Sequence, residues 1–154
     1  MIKLIPTFIA AVMLAIAVPT AQADTTQTIW LHPSELLDQG TQALRSGDYK
    51  RAIKSFKRFL KEPATKSSRV TAHSNLCIAY EFVGDLEAAV KQCNIAIKLN
   101  PKHWRAYNNR GNAHLAAGDY EAASADYQLA LKINPKAEAV LENLKLALAK
   151  AAKQ

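Results

Sequence analysis

Two cysteines, Cys77 and Cys93, are the residues of this chain best placed for covalent chemistry. They flank Gly84-Asp85, one seven residues before the glycine and the other nine after it. If two antiparallel helices meet at that step, the two positions share a height on facing sides, which predicts a Cys77–Cys93 disulfide. An oxidising compartment would preserve such a bond, and closing so short a loop adds on the order of 3 kcal/mol in the chain-entropy account. The competing reading is a pair of small buried thiols that only fill space. Redox catalysis is not expected, because the Cys-x-x-Cys spacing that tunes thiol reactivity is absent. His32, His73, His103 and His114 are scattered without the spacing of a metal site, so no metal or cofactor is expected. A phosphate-binding loop, a dinucleotide fingerprint and a serine elbow are all missing, and with them any constellation for an enzyme.

The first residues carry an address rather than a fold. Lys3 supplies positive charge, Leu4 to Val18 is apolar throughout, and Ala21-Gln22-Ala23 is a small-x-small cleavage signature, so residues 1–23 are expected to be a signal peptide. An uncleaved anchor is the alternative, but the run is shorter than the roughly 20 residues a bilayer requires. The protein is therefore expected to be exported, periplasmic or secreted. Residues 24–32 form an N-terminal segment in which Ile29-Trp30-Leu31 reads as a plug, or as a docking motif for a partner.

Past residue 23 the chain keeps 19 basic and 13 acidic residues, a net charge of about +6. The Lys and Arg read as spread along every helix, and export argues against nucleic acid, so a solvated basic face that aids solubility or touches an anionic surface weakly is expected. Composition is 49% apolar with only 5 Gly and 6 Pro, which indicates one folded domain. Abundant Ala with few aromatics favours helices.

The elements that must position these residues repeat at a fixed interval. Gly84-Asp85-Leu86-Glu87-Ala88-Ala89 returns as Gly118-Asp119-Tyr120-Glu121-Ala122-Ala123, and Ala96 to Pro101 returns at the same offset as Ala130 to Pro135. A third copy begins at Gly47-Asp48-Tyr49, set back from Gly84 by that interval and three residues more, with the extra three expected in a loop over Glu62 to Ser68. In each copy Gly ends one helix in a left-handed conformation and Asp caps the next. Ala89, Cys93, Ala96 and Ile97, then Ala123, Tyr127, Ala130 and Leu131, form matching apolar stripes. Asn before Pro101 and Pro135 stops the helix.

These residues resemble the tetratricopeptide repeat family. The copy at about 104–137 matches its pattern at Tyr107, Gly111, Gly118, Tyr120, Ala123, Tyr127, Ala130 and Pro135. The copy at 70–103 matches at Leu76, Tyr80, Gly84, Ala89, Ala96 and Pro101, but departs at His73, Cys77 and Cys93. The copy at about 33–64 is similar at Gly40, Gly47, Tyr49, Ala52 and Phe56, with Phe59 in place of the usual Ala. The resemblance implies an all-α fold, a right-handed α-solenoid of about three helical hairpins over 33–152. A capping helix at about 137–150 is expected to cover the open edge with Val140, Leu141, Leu144 and Leu148.

Function is then expected on the concave surface lined by the first helix of each hairpin. Asn75 and Asn109 stand there one repeat interval apart. In sugar-transferring members of the family similar asparagines form a ladder that bonds a peptide backbone, and the resemblance implies the same role here. Asp38 interrupts the ladder, while Arg105, Asn108, Asn112, Thr71, Ser74, Leu37 and Thr41 complete the wall. A carboxylate-gripping branch of the family is matched only at Asn75 and Arg105, and Leu37, Thr41 and Asn109 depart from it. An ordinary solvated helix face is the plain alternative. The expected function is a scaffold or adaptor that binds a partner polypeptide in the groove. The alternative is a permanent accessory subunit of an envelope complex. Neither reading calls for a nucleic acid, and the oligomeric state is open.

Overall fold

The computed structural model describes residues 32–154; residues 1–23 and the segment Ile29-Trp30-Leu31 lie outside that range. Among the described residues there are seven helices and no strand: α1 (Pro33–Arg45), α2 (Tyr49–Phe59), α3 (Lys66–Phe82), α4 (Leu86–Leu99), α5 (Trp104–Ala117), α6 (Tyr120–Ile133) and α7 (Glu138–Ala151). None is long and apolar enough to cross a membrane.

Each hairpin turns on a Gly-Asp step. Gly47, Gly84 and Gly118 have φ of 78°, 82° and 80°, where a side chain would crowd the backbone. The Asp N–H then reaches back into the finished helix, from Asp48 to the Ala43 carbonyl, Asp85 to Tyr80 and Asp119 to His114. The three carboxylates accept from the N–H groups of Arg51, Ala88 and Ala122 at 3.0, 3.1 and 3.0 Å. One dipeptide thus closes one helix and opens the next. At the other end of α4 and α6, Asn100 and Asn134 leave the helical region, with ψ of 94° and 86°, ahead of their prolines.

The three-residue insertion differs from the sequence expectation. It is absorbed largely as an extra first turn on α3, which has 17 residues against 14 in α5. The cause is Thr65, whose hydroxyl accepts the Ser68 N–H at 3.1 Å and bonds the Ser68 hydroxyl at 2.9 Å, so the polar stretch caps a helix instead of remaining a loop.

Successive helices pack in antiparallel pairs, and α1, α3, α5 and α7 also touch one another in order, whereas α2, α4 and α6 do not. A stack whose first helices meet and whose second helices stay apart curves with the first helices inside. Small residues allow the close approach: Ala52, Ala72, Ala89, Ala106, Ala113 and Ala123 are all fully buried.

The last helix only partly meets its expected role. Val140 and Ala147 are buried against α6 and Leu144 packs beside them, but Leu141 and Leu148 are 43% and 49% exposed. The reason is register. Helix α7 starts one repeat interval after α5, at Glu138 against Trp104, so Leu141 and Leu148 take the places of Tyr107 and His114, which face α6 in the third hairpin.

Candidate functional site

Cys77 and Cys93 are joined as a disulfide across α3 and α4, with Cα atoms 5.3 Å apart and both residues fully buried. Their position has a counterpart in each neighbouring hairpin. Gly40 lies under the Phe56 ring, where an added Cβ would come within 2.5 Å of a ring carbon, and Gly111 lies under Tyr127, where the distance would be 2.7 Å. Counting by the repeat, Cys77 replaces the glycine and Cys93 the ring. The covalent bond therefore fills the slot that a ring on a glycine fills elsewhere.

The polar groove residues divide into bonded and unbonded sets. Asn109 is buried, and its amide donates to the Ser74 carbonyl at 3.3 Å and to the Ser74 hydroxyl at 3.1 Å. It ties α5 to α3 instead of presenting its N–H groups to the groove. One repeat later Asn143 on α7 does the same, donating to Asn108 at 3.2 Å and Asn112 at 3.3 Å, while Asn112 also accepts from the Tyr127 hydroxyl at 2.8 Å. The hydroxyls of Thr41 and Thr71 bond their own helices, at Leu37 and Ser67. Thr71 also lines a cleft of about 360 Å³ between the start of α3 and the α4–α5 link, with Lys66, Val70, Leu99, Asn100 and His103. What remains is Asn75, half-buried, with Asp38 and Arg105, both exposed. Among the described residues none of these three side chains makes an intramolecular hydrogen bond, and the Arg105 guanidinium lies 4.5 Å from the Trp104 ring centroid.

Sequence reasoning missed Asn143 and the Arg110–Asp126 pair. Asn143 is legible, since it lies one repeat interval after Asn109, but only where α7 is read as a further first helix and not as a cap. Arg110 grips the buried Asp126 with both arms at 2.8 and 2.6 Å and reaches Asn94 on α4. The hydrogen bond to Asp126 raises the Arg110 pKa further, and the fork pins three helices. Burial lowers the pKa of His73, against a 2.8 Å bond to Gln92, with Arg69 lowering it further. His103 is lowered by burial and by Arg105. Among the described residues no group of three or more His, Cys, Asp or Glu could hold a metal ion.

Residues 104–137 match the family model described as tetratricopeptide repeat. That match spans one helical hairpin, α5 and α6. Solved structures extend the likeness of fold over the rest of the described helices. The first such repeat domain of human RPAP3 superposes with a TM-score of 0.71 at 23% identity, covering 79% of this chain and 93% of that one. The Hsp90 co-chaperone Cns1 from Saccharomyces cerevisiae gives 0.74 at 20% identity, covering 79% of this chain and 39% of that one. In sequence, the peptidyl-prolyl cis-trans isomerase FKBP4 of Homo sapiens is 30% identical over 91 residues, 51% of this chain and 20% of that protein, and the Bos taurus protein matches equally. The chain thus spans about a fifth of the length of those relatives. Within the matched residues 104–137 the first helix carries Arg105, Asn108, Asn109 and Asn112, and the second carries Tyr127.

Proposed function

We propose that the protein is an exported binding module, periplasmic or secreted, that holds an extended segment of a partner polypeptide along the inner face of α1, α3 and α5 as a scaffold or adaptor. The observation that carries this reading is Asn75, half-buried on the inner helix α3 with both its donor and its acceptor unspent among the described residues. An amide so placed offers a donor and an acceptor to one peptide unit, and the bonded asparagines around it hold the wall rigid. Two similar folds are described with peptides: the first repeat domain of Spaghetti (RPAP3) bound to the HSP90 peptide SRMEEVD, and the second of human RPAP3 with the HSP70 peptide SGPTIEEVD. They support the class of ligand. Here Asp38 stands exposed on α1 with Leu37 and Thr41, so that end of the groove supplies no cation for an acidic terminus, and backbone recognition is favoured.

The test is a peptide selected on the full chain from a displayed random library and then titrated by calorimetry. Asn75→Ala should weaken binding about fivefold, the worth of one ordinary hydrogen bond, with the unfolding midpoint unchanged. Equal affinity for both proteins would remove the groove from the account. A second reading, a permanent subunit of an envelope complex, is favoured by Leu141, Leu146 and Leu148, all more than 40% exposed on α7. Self-association of the isolated protein that Leu141→Ser with Leu148→Ser abolishes would point to that reading.

A further inference from the structure

The positive charge of this molecule is concentrated, contrary to the even spread expected from the sequence. Residues 49–69 contain eight basic residues and one acidic residue, Glu62, while the other described residues balance at eleven of each. Six of the eight are on α2 or just past it: Lys50, Arg51, Lys54, Lys57, Arg58 and Lys61. At 100° per residue they occupy an arc of about 120°, and every one is exposed. The opposite side of the helix, Ala52, Phe56 and Phe59, is buried in the core. Among the described residues none of the six forms a salt bridge, and the one ring contact is Lys57 over Tyr80 at 5.4 Å. Helix α2 is a second helix, so the strip lies on the convex side, away from the groove.

We infer that this strip is a contact surface for anionic lipid headgroups. It runs along the helix for about 17 Å, at 1.5 Å per residue, with Lys61 just past the helix end. Four of its six cations are lysines, point charges on flexible stems with no fixed fork. Among the described residues the six side chains make no hydrogen bond that would set the register of an acidic peptide, and the interleaved aromatics Phe56 and Phe59 are buried where no base could stack. A plane of headgroup phosphates requires none of these features, only a row of unneutralised cations on one face. The inference is independent of the groove and holds if the groove reading fails.

Sedimentation of the full chain with vesicles tests it. Phosphatidylcholine vesicles are compared with vesicles that also contain phosphatidylglycerol, and the difference between them is read, because the N-terminal apolar run contributes to both. Binding should require phosphatidylglycerol and vanish at high salt. Lys54→Gln with Lys57→Gln and Lys61→Gln should weaken it about a hundredfold, at about fivefold per charge. Lys91→Gln with Lys98→Gln and Lys132→Gln, an equal loss of charge outside the strip, should leave most of it. All six sites are exposed, and circular dichroism should show that both variants fold. Equal binding to the two vesicles, or equal losses in the two variants, would overturn the inference. So would polyglutamate held as tightly as the vesicles, which would assign the strip to an acidic protein instead.

Discussion

Asn75 and Asn109 occupy equivalent places in successive repeats, yet their surroundings give them separate jobs. Removing the Asn109 amide deprives the buried Ser74 hydroxyl of its donor from α5 and the Ser74 carbonyl of a bond beyond its own helix, so Asn109→Ala should lower stability by about 1–3 kcal/mol, measured by denaturant unfolding. Asn75→Ala should stay within about 0.5 kcal/mol. The cysteine pair allows a second test, because the neighbouring hairpins show what else fits its slot. Wild type should lose on the order of 3 kcal/mol under reductant. Cys77→Gly with Cys93→Tyr should fold with an unfolding midpoint that reductant does not move, and a wild type equally indifferent to reductant would mean the bond contributes nothing. His73 contributes to the pH dependence, as does His103, whose pKa burial lowers in the same direction. The folded pKa of His73 lies below the ordinary value, so as pH falls below about 6.5 the unfolded chain takes up a proton that the folded chain refuses. Stability present at neutral pH should therefore decline toward pH 5, and His73→Gln should make that slope shallower, the remainder belonging to His103.

At the scale of the helices, the Gly-Asp step carries the architecture. Gly118→Ala should cost about 1–2 kcal/mol by forcing a side chain into the left-handed region, and Asp119→Ala about 1 kcal/mol through loss of the cap, both read from thermal unfolding. These elements were legible in the sequence because turn, cap and stop are local chemistry repeated at a fixed interval. The cysteine positions were legible for the same reason, since their distances from Gly84 set a common height. The extra turn of α3 was not, because a Pro- and Ser-containing stretch reads as loop until Thr65 is seen to bond Ser68. The bonded state of Asn109 was also hidden. It depends on how closely α3 and α5 approach, a tertiary distance that no single-helix pattern encodes. The register of α7 was written in the sequence at Asn143 and obscured by treating the helix as a cap.

For the whole molecule, curvature separates two faces of different chemistry. Inner helices meet through small residues and asparagine struts, which leaves a rigid wall with Asn75 and Arg105 available. Outer helices stay apart, and α2 carries most of the unbalanced positive charge of the described residues. The central claim is that a partner polypeptide lies on the inner wall. Photo-crosslinking addresses it most directly, with a photoreactive amino acid placed at Asn75 in one protein and at Lys91, on the convex helix α4, in another. The account predicts that partner adducts form from position 75 and not from position 91. Adducts from 91 with none from 75 would contradict it.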